Sequence, residues 1–180
     1  MKLWAIGHSS SPADTFIALL GAHNIRTVVD VRRFPASRRY PHFDRAALER
    51  ALAAAGIGYL HVAELGGRRE PRPDSPNTGW REAGFRGYAD YMETPGCLMA
   101  LERLIAIAGG ARTAMMCAEA DWRNCHRGLI ADALKLRGIE VLHIRDARDP
   151  EPHAFTGPAQ VVDGRLSYAL RPPRQHSLDL

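Results

Sequence analysis

Residues 113–127 read Thr-Ala-Met-Met-Cys-Ala-Glu-Ala-Asp-Trp-Arg-Asn-Cys-His-Arg, and they contain the clearest indication of the fold class. Its first five residues form an apolar run typical of a buried strand, and the residues from Cys125 to Arg137 have the spacing of an amphipathic helix. A strand that leads directly into a helix is the repeating unit of an α/β protein. The turn between the two is where an open parallel sheet usually binds its ligand.

The same alternation of strand and helix extends in both directions from this stretch. Apolar or β-branched runs predict four further strands at 3–6, 27–30, 57–62 and 139–144. Helical spacing predicts helices at 13–23, 45–55, 85–92 and 97–108. Repeated β-α-β units imply right-handed crossovers. The chain therefore predicts an α/β fold, with a mostly parallel sheet of about five strands and helices on both faces in a Rossmann-like three-layer arrangement.

The 180-residue length favours one domain with a short appendage. We expect a single α/β domain at 1–145, followed by a C-terminal extension at 146–180 that contains a hairpin near Asp163-Gly164 and a disordered tail. Within the domain, residues 66–84 are rich in Gly, Pro, Arg, Asp and Asn, which predicts a long irregular loop. A loop of this length in a compact domain is usually functional or mobile.

Composition excludes several classes of protein. Hydrophobic residues make up 46% and charged residues 24% of the chain, as in ordinary globular proteins. No apolar run approaches the roughly 20 residues of a membrane span, and Gly7-His8-Ser9 interrupts any secretory h-region. The three cysteines are too few and too irregularly spaced for a disulfide scaffold. We expect a cytoplasmic protein with reduced thiols and no membrane partner.

Arginine is concentrated in one part of the chain. Between Arg32 and Arg72, nine arginines oppose four acidic residues, a balance of +5 against +4 for the whole chain. Guanidinium groups suit phosphate and carboxylate, which favours an anionic small molecule or a nucleic acid as partner. The chain also has only two lysines and much Ala, Gly and Pro, so GC-rich coding explains the arginines equally well.

Polar clusters follow each of the first four predicted strands. His8 and Ser9 come after the first strand, and Asp30 and Arg32 mark the end of the second. Gly66 and Gly67 follow the third, and Cys117 and Glu119 the fourth. In a parallel sheet these strand ends share one edge, so we expect the clusters to meet around one crevice. Loops are polar by default, but His, Asp, Arg, Cys and Glu favour function over solubility.

The turn after the fourth strand carries the most reactive group. With Asn124 as the predicted N-cap, Cys125, His126 and Arg127 would occupy the first helical turn. The positive end of the helix dipole would then lower the pKa of Cys125 and favour a bound anion. Cys117 could face either the core or the crevice, because cysteine is among the most buried residue types. Cys97, at a helix start, is predicted to be a packed thiol.

These observations favour an enzyme that acts on an anionic, phosphate-bearing substrate such as a nucleotide or a nucleic-acid component. Cys125 would be a nucleophile or redox thiol, with Cys117 beside it and His126 or His8 as acid or base. Asp30 and Glu119 are expected to orient or deprotonate the reacting groups. The residues expected to hold the substrate are Ser9, Arg32, Arg127, Gly66, Gly67, Arg38 and Tyr40.

Two other functions remain open at this stage. A non-catalytic module could hold a nucleotide or nucleic acid on the loops at 32–43 and 68–72, where Arg38 and Tyr40 would supply phosphate contact and stacking. The aromatic residues of the first loop could instead only anchor it to the body. A Cys/His metal site is the other alternative, although the spacing is not that of compact structural zinc sites, so no residue is assigned as a metal ligand. The sequence identifies neither a cofactor nor an oligomeric state.

Taken together, these motifs resemble the family called domain of unknown function 488. The matching stretches run in order from 6–9 through 30–37, 65–67 and 85–92 to 117–119 and 125–127. The resemblance covers about residues 3–145 and implies an α/β fold, but no established reaction. Family members often have Lys-Asp-Pro where this chain has Ala120-Asp121-Trp122.

Overall fold

A five-stranded parallel sheet forms the centre of the computed structural model, which describes residues 1–170. Its strands are β1 (Lys2–Gly7), β2 (Thr27–Asp30), β3 (Gly58–His61), β4 (Thr113–Cys117) and β5 (Glu140–Ile144). They are arranged in the order β3-β2-β4-β1-β5, and all neighbouring pairs are parallel. The predicted α/β sheet is confirmed.

Five helices cover the two faces of this sheet. They are α1 (Ala13–Ala22), α2 (Arg45–Ala54), α3 (Ala83–Met92), α4 (Pro95–Gly110) and α5 (Arg127–Leu136). Alternate side chains of each strand point to opposite faces. On β1, Trp4 and Ile6 pack with α1 and α2, whereas Leu3 and Ala5 pack with α3, α4 and α5. Because both faces of β1, β2, β4 and β5 are buried, these strands are mostly apolar rather than alternating, whereas the edge strand β3 is partly exposed.

The C-terminal residues add structure at one edge. A two-residue strand, β6 (Glu151–Pro152), pairs antiparallel with β5, which the sequence pattern did not predict. The predicted hairpin is confirmed as β7 (Gln160–Val162) and β8 (Arg165–Ser167). Its turn residues Asp163 and Gly164 have φ of 49° and 74°, as a two-residue type I′ turn requires. The expected disordered tail falls at 171–180, outside the described residues.

Helix α5 begins later than the sequence predicted. Residues Trp122–Asn124 form a short 3₁₀ turn, Cys125 is extended at φ −138°, and His126 rather than Asn124 is the N-cap. The Asp121 side chain accepts the N–H of Arg123, which favours this separate turn over an earlier start of α5. The turn also buries Trp122, whose ring stacks on His143 at 4.5 Å.

A buried carboxylate on α5 attaches the C-terminal segment to the domain. Asp132 is fully buried and accepts hydrogen bonds from the Thr156 N–H and hydroxyl, at 2.9 and 2.5 Å, and from the Tyr168 hydroxyl at 3.0 Å. Its Oδ1 also lies 2.9 Å from His153 Nε2, and His153 Nδ1 lies 2.9 Å from His143. The Asp132 side chain thus contacts three residues of the C-terminal segment directly: His153, Thr156 and Tyr168.

None of the helices within residues 1–170 combines the length and the hydrophobicity that crossing a lipid bilayer requires.

Candidate functional site

The carboxyl ends of β1, β2 and β4 meet, as the strand order requires. The N–H of His8 donates to the Cys117 carbonyl at 3.0 Å, and the N–H of Val31 donates to the Met116 carbonyl at 2.9 Å. These backbone bonds extend the parallel ladders past the strands and place the three following loops side by side. A cavity of about 390 Å³ opens between them.

The cavity wall contains most of the residues that the sequence singled out, together with several that it did not. Predicted site residues in the wall are His8, Arg32, Gly67, Cys117, Glu119, Cys125 and His126. Further lining residues are Arg33, Phe34, Ala36, Ser37, Arg68, Glu82, Gly84, Phe85, Ala118 and Asn124.

Two thiols and one imidazole form the centre of this wall. Cys117 Sγ and Cys125 Sγ lie 3.9 and 3.7 Å from His126 Nδ1, and the three atoms all lie within 4.8 Å of one another. Both cysteines are more than nine-tenths buried, at the floor of the cavity. The alternative in which Cys117 faces only the core is therefore wrong, because its sulfur contacts the other two groups.

The orientation of the His126 ring follows from its other nitrogen. Nε2 lies 3.0 Å from the carbonyl oxygen of Val31, which can only accept a hydrogen bond. Nε2 must therefore carry the proton, and in the neutral ring the lone pair is on Nδ1. The base thus faces both thiols. Gly67 permits this arrangement, since a Cβ on it would lie 2.8 Å from His126 Nδ1.

The two thiols have opposite pKa shifts. Burial opposes ionisation of Cys125, but a hydrogen bond from Cys117, the charge of Arg127 and the backbone N–H of Arg127 outweigh it and lower the pKa of Cys125 to about 7. The hydrogen bond to Cys125, together with burial, raises the pKa of Cys117. Cys125 precedes α5 instead of lying in its first turn, yet the Arg127 N–H at the helix start still reaches its sulfur.

A second chain of hydrogen-bonded polar groups runs from Tyr59 through Asp30 and Arg32 to His8, and its last two members line the cavity. The Asp30 carboxylate accepts from Arg32 Nε at 2.9 Å, from Arg32 Nη2 at 2.6 Å and from the Tyr59 hydroxyl at 2.7 Å. Asp30 is completely buried and does not line the cavity. Arg32 Nη1 continues toward His8 Nε2 at 3.4 Å.

His8 is held in its neutral form. Its Nδ1 lies 2.9 Å from the Ser9 carbonyl, so the proton is on Nδ1 and Nε2 accepts from Arg32. Its ring stacks on Phe43 at 4.0 Å. Burial and, to a smaller degree, the charge of Arg32 lower the pKa of His8 to about 4, although the bond to Ser9 acts in the opposite direction.

Five expected substrate-binding residues lie outside the cavity wall. Arg127 is buried, and its guanidinium donates to the Ile6 and Glu119 carbonyls at 2.8 Å, which ties β1 to the loop after β4. Gly66 packs against the Arg33 backbone, where a Cβ would lie 2.4 Å from Arg33 Cα. Ser9 lines a separate, smaller depression, and Arg38 and Tyr40 lie on the loop beyond the wall.

The cations and aromatic rings at the cavity mouth are different residues from those expected. Arg33 and Arg68 are exposed, and Arg33 Nη1 donates to the Arg68 carbonyl at 2.6 Å, which joins the two arginine-rich loops. Phe34 is 62% exposed at the same mouth, and Phe85 comes from α3. The available sequence signal was the position of Phe34 directly after Arg32 and Arg33, but a position in the loop did not distinguish it from Tyr40.

Comparison with known proteins gives one match. A family model described as Domain of unknown function DUF488 matches residues 12–134. Neither the curated proteins nor the solved structures contain a match.

Proposed function

Because this chain belongs to the DUF488 family, whose description specifies no reaction, we propose a function from its own side chains: the protein is an enzyme that acts on an anionic, phosphate-bearing substrate through the Cys125 thiolate. One observation carries the proposal. The Cys125 sulfur lies 3.7 Å from the lone pair of His126 Nδ1 and within 4.8 Å of the Cys117 sulfur, at the floor of a cavity that has Arg33 and Arg68 at its mouth.

Each group has a defined task in this proposal. Cys125 attacks the electrophilic centre as a thiolate, which is the reactive form of cysteine. His126 Nδ1 accepts a proton from a thiol or returns one to a leaving group, since its lone pair faces the sulfurs. His8 is a poor proton acceptor, because its pKa is lowered to about 4 and its Nε2 lone pair faces Arg32, so its role in this proposal is to orient that guanidinium. Arg33 and Arg68 attract the anion, because their exposed guanidinium groups are not neutralised by a buried carboxylate as Arg32 is.

The expected location supports the same assignment. We propose that the protein functions in the cytoplasm, where glutathione and thioredoxin systems keep thiols reduced and a Cys125 nucleophile available.

Alkylation with a charged and a neutral reagent tests this proposal. Iodoacetate and iodoacetamide both modify thiolates, but only iodoacetate is an anion. We expect Cys125 labelling to rise with pH around a midpoint near 7, the lowered pKa of its thiol. We also expect Cys125 to prefer iodoacetate, the reverse of an ordinary thiol, and inorganic phosphate to slow the labelling. Peptide mapping by mass spectrometry measures each cysteine separately.

Matched variants complete this experiment. Changing Arg33 and Arg68 to alanine should weaken phosphate protection by about tenfold, the loss of roughly 1.4 kcal/mol of charge-assisted contact. Arg38→Ala is the control, because Arg38 is exposed but outside the cavity wall. A Cys125 labelling midpoint at or above about 8.5, the value for an unperturbed thiol, would remove the activated nucleophile. Equal protection in all variants would remove the anion site.

A second candidate function rests on the spacing of the same three groups. Zinc bonds of about 2.0–2.3 Å in a tetrahedral site place neighbouring ligand atoms about 3.5 Å apart. The observed sulfur–nitrogen distances of 3.7 and 3.9 Å are close to this. His126 also donates its other nitrogen to a backbone carbonyl, as ligating histidines usually do. Three ligands would leave the fourth position open to the cavity, as in catalytic zinc sites.

Cobalt(II) is the probe for this candidate, because thiolate ligands give it an intense charge-transfer absorption. A metal site predicts this band at one equivalent of cobalt, its displacement by zinc and its loss in Cys125→Ser. Cys97→Ser should leave the band unchanged, since Cys97 lies on α4 and lines a different depression. Failure of the protein to bind either ion at micromolar concentration would eliminate the metal candidate and leave the nucleophile.

A further inference from the structure

We propose that Cys117 and Cys125 form a reversible intramolecular disulfide, with a small hydroperoxide as oxidant and Cys117 as the resolving thiol. This inference does not depend on the proposed substrate or on a metal. It rests on the proximity of two thiols that share one base and one opening to solvent.

The proximity of the sulfurs is the first argument. Cys117 Sγ and Cys125 Sγ lie within 4.8 Å of each other and of His126 Nδ1. A disulfide requires the sulfurs to approach to about 2.05 Å. Closing this gap requires side-chain rotation and a shift of the backbone.

The backbone around Cys125 permits this shift. Cys117 is the last residue of β4, where the sheet holds it on both sides. Cys125 is a single extended residue between the 3₁₀ turn and the N-cap of α5. Its backbone makes one bond to each neighbouring turn: the Cys125 N–H donates to the Trp122 carbonyl at 3.2 Å, and the Gly128 N–H donates to the Cys125 carbonyl at 2.9 Å. A shift of Cys125 therefore affects the first turn of α5 and not its later hydrogen bonds. The predicted arrangement, with Cys125 inside the first helical turn, would have made the same movement more costly.

Access for the oxidant is selective. Both sulfurs are at the floor of a cavity of about 390 Å³, which a hydroperoxide enters easily. Cys97 is the internal reference. It is equally buried, but it lies on α4 and lines a different depression. An oxidant in this cavity therefore meets Cys117 and Cys125 rather than Cys97.

The chemistry balances in two steps. The Cys125 thiolate attacks one oxygen of hydrogen peroxide, the O–O bond breaks, and the departing hydroxide takes a proton to become water, which leaves a sulfenic acid on Cys125. Cys117 then attacks the Cys125 sulfur. The S–S bond forms, the S–O bond breaks, and the second water leaves with the Cys117 proton, which His126 Nδ1 can relay. Two thiols are oxidised and one peroxide is reduced to two waters. A dithiol reverses the change.

Oxidation has a direct consequence for the site, because it removes Cys125 as a nucleophile and both sulfurs as metal ligands. The same cavity would then be active only in its reduced form.

Peroxide treatment of the reduced, full-length protein tests the inference. After brief exposure to hydrogen peroxide, denaturation and alkylation, we expect a mass lower by two hydrogens, a Cys117–Cys125 linked peptide and a fully alkylated Cys97. Cys97 should stay unmodified during this exposure, because it lies outside the cavity that Cys117 and Cys125 line. Dithiothreitol should restore all three thiols.

Two variants separate the roles. Cys97→Ser should form the disulfide as the wild type does. Cys117→Ser should instead accumulate a dimedone-reactive sulfenic acid on Cys125. Overoxidation of Cys125 in the wild type while Cys117 remains free would overturn the inference. Disulfide-linked dimers in place of the internal disulfide would also overturn it. The wild-type peptide map decides this even if Cys117→Ser does not fold. Failure of phosphate protection would affect only the proposed substrate, since the linked peptide is measured without any anion.

Discussion

The Asp30→Ala variant is expected to lose about 3–5 kcal/mol of unfolding free energy, because it leaves the buried Arg32 guanidinium without its counterion. Asp30 is completely buried and Arg32 is 5% exposed. The carboxylate accepts four hydrogen bonds from Arg32, including its backbone N–H, and one from Tyr59. Chemical denaturation followed by circular dichroism measures the change.

Two further variants determine whether the missing counterion is the cause. Asp74→Ala removes an exposed carboxylate and should change stability by less than about 0.5 kcal/mol. The double variant Asp30→Leu with Arg32→Met should be more stable than Asp30→Ala, since an apolar pair leaves no buried charge. If Asp30→Ala costs less than about 1 kcal/mol, the pair is not as isolated from solvent as the structure indicates.

The same substitution should also affect the site. Without Asp30, Arg32 has no fixed orientation, and its contact with His8 at 3.4 Å is lost. Asp30 acts here as a positioning residue, because it does not line the cavity.

Replacing Asp132 with alanine is expected to be comparably damaging, at about 3–6 kcal/mol. Three donors, the Thr156 N–H and hydroxyl and the Tyr168 hydroxyl, would lose their acceptor, and each buried unsatisfied group costs about 1–3 kcal/mol. His153 would lose its partner as well. The effect should be concentrated in residues 153–168, which this carboxylate attaches to α5.

Hydrogen exchange separates this local effect from a general loss of stability. We expect faster exchange first in 153–168 and then in the whole chain. Asp149→Ala is the matched control, because Asp149 is an exposed carboxylate near the same segment. Uniformly faster exchange with no early change in 153–168 would contradict the proposed attachment.

Much of the candidate site could be predicted from the sequence. His8, Cys117, Glu119 and Cys125 were expected at one edge because each follows an apolar run, and the parallel sheet brings the ends of such runs together. The start of α5 was predicted two residues too early. Asp121 and the burial of Trp122 create a separate turn there, and neither effect is visible in helical periodicity.

The arginines show where prediction from the sequence fails. Arg127 was expected to hold an anion, yet its guanidinium donates to three backbone carbonyls, one of them 121 residues earlier in the chain. Arg38 was preferred to Arg33, yet Arg33 lines the cavity and Arg38 does not. A guanidinium group can donate to a carbonyl, a carboxylate or a phosphate. Its residue type therefore does not identify its partner.

Three features could be predicted from the sequence alone: the alternation of strands and helices, the burial of the sheet between two layers of helices and the sheet edge where the reactive groups lie. These features follow from periodicity and from turn residues, which act over a few neighbouring positions. Only the tertiary structure decided that the lone pair of His126 faces two sulfurs, that Asp30 neutralises Arg32 and that Phe34 and Phe85 share one cavity. Such contacts depend on which of several suitable partners comes within reach, and residues distant in the chain determine that.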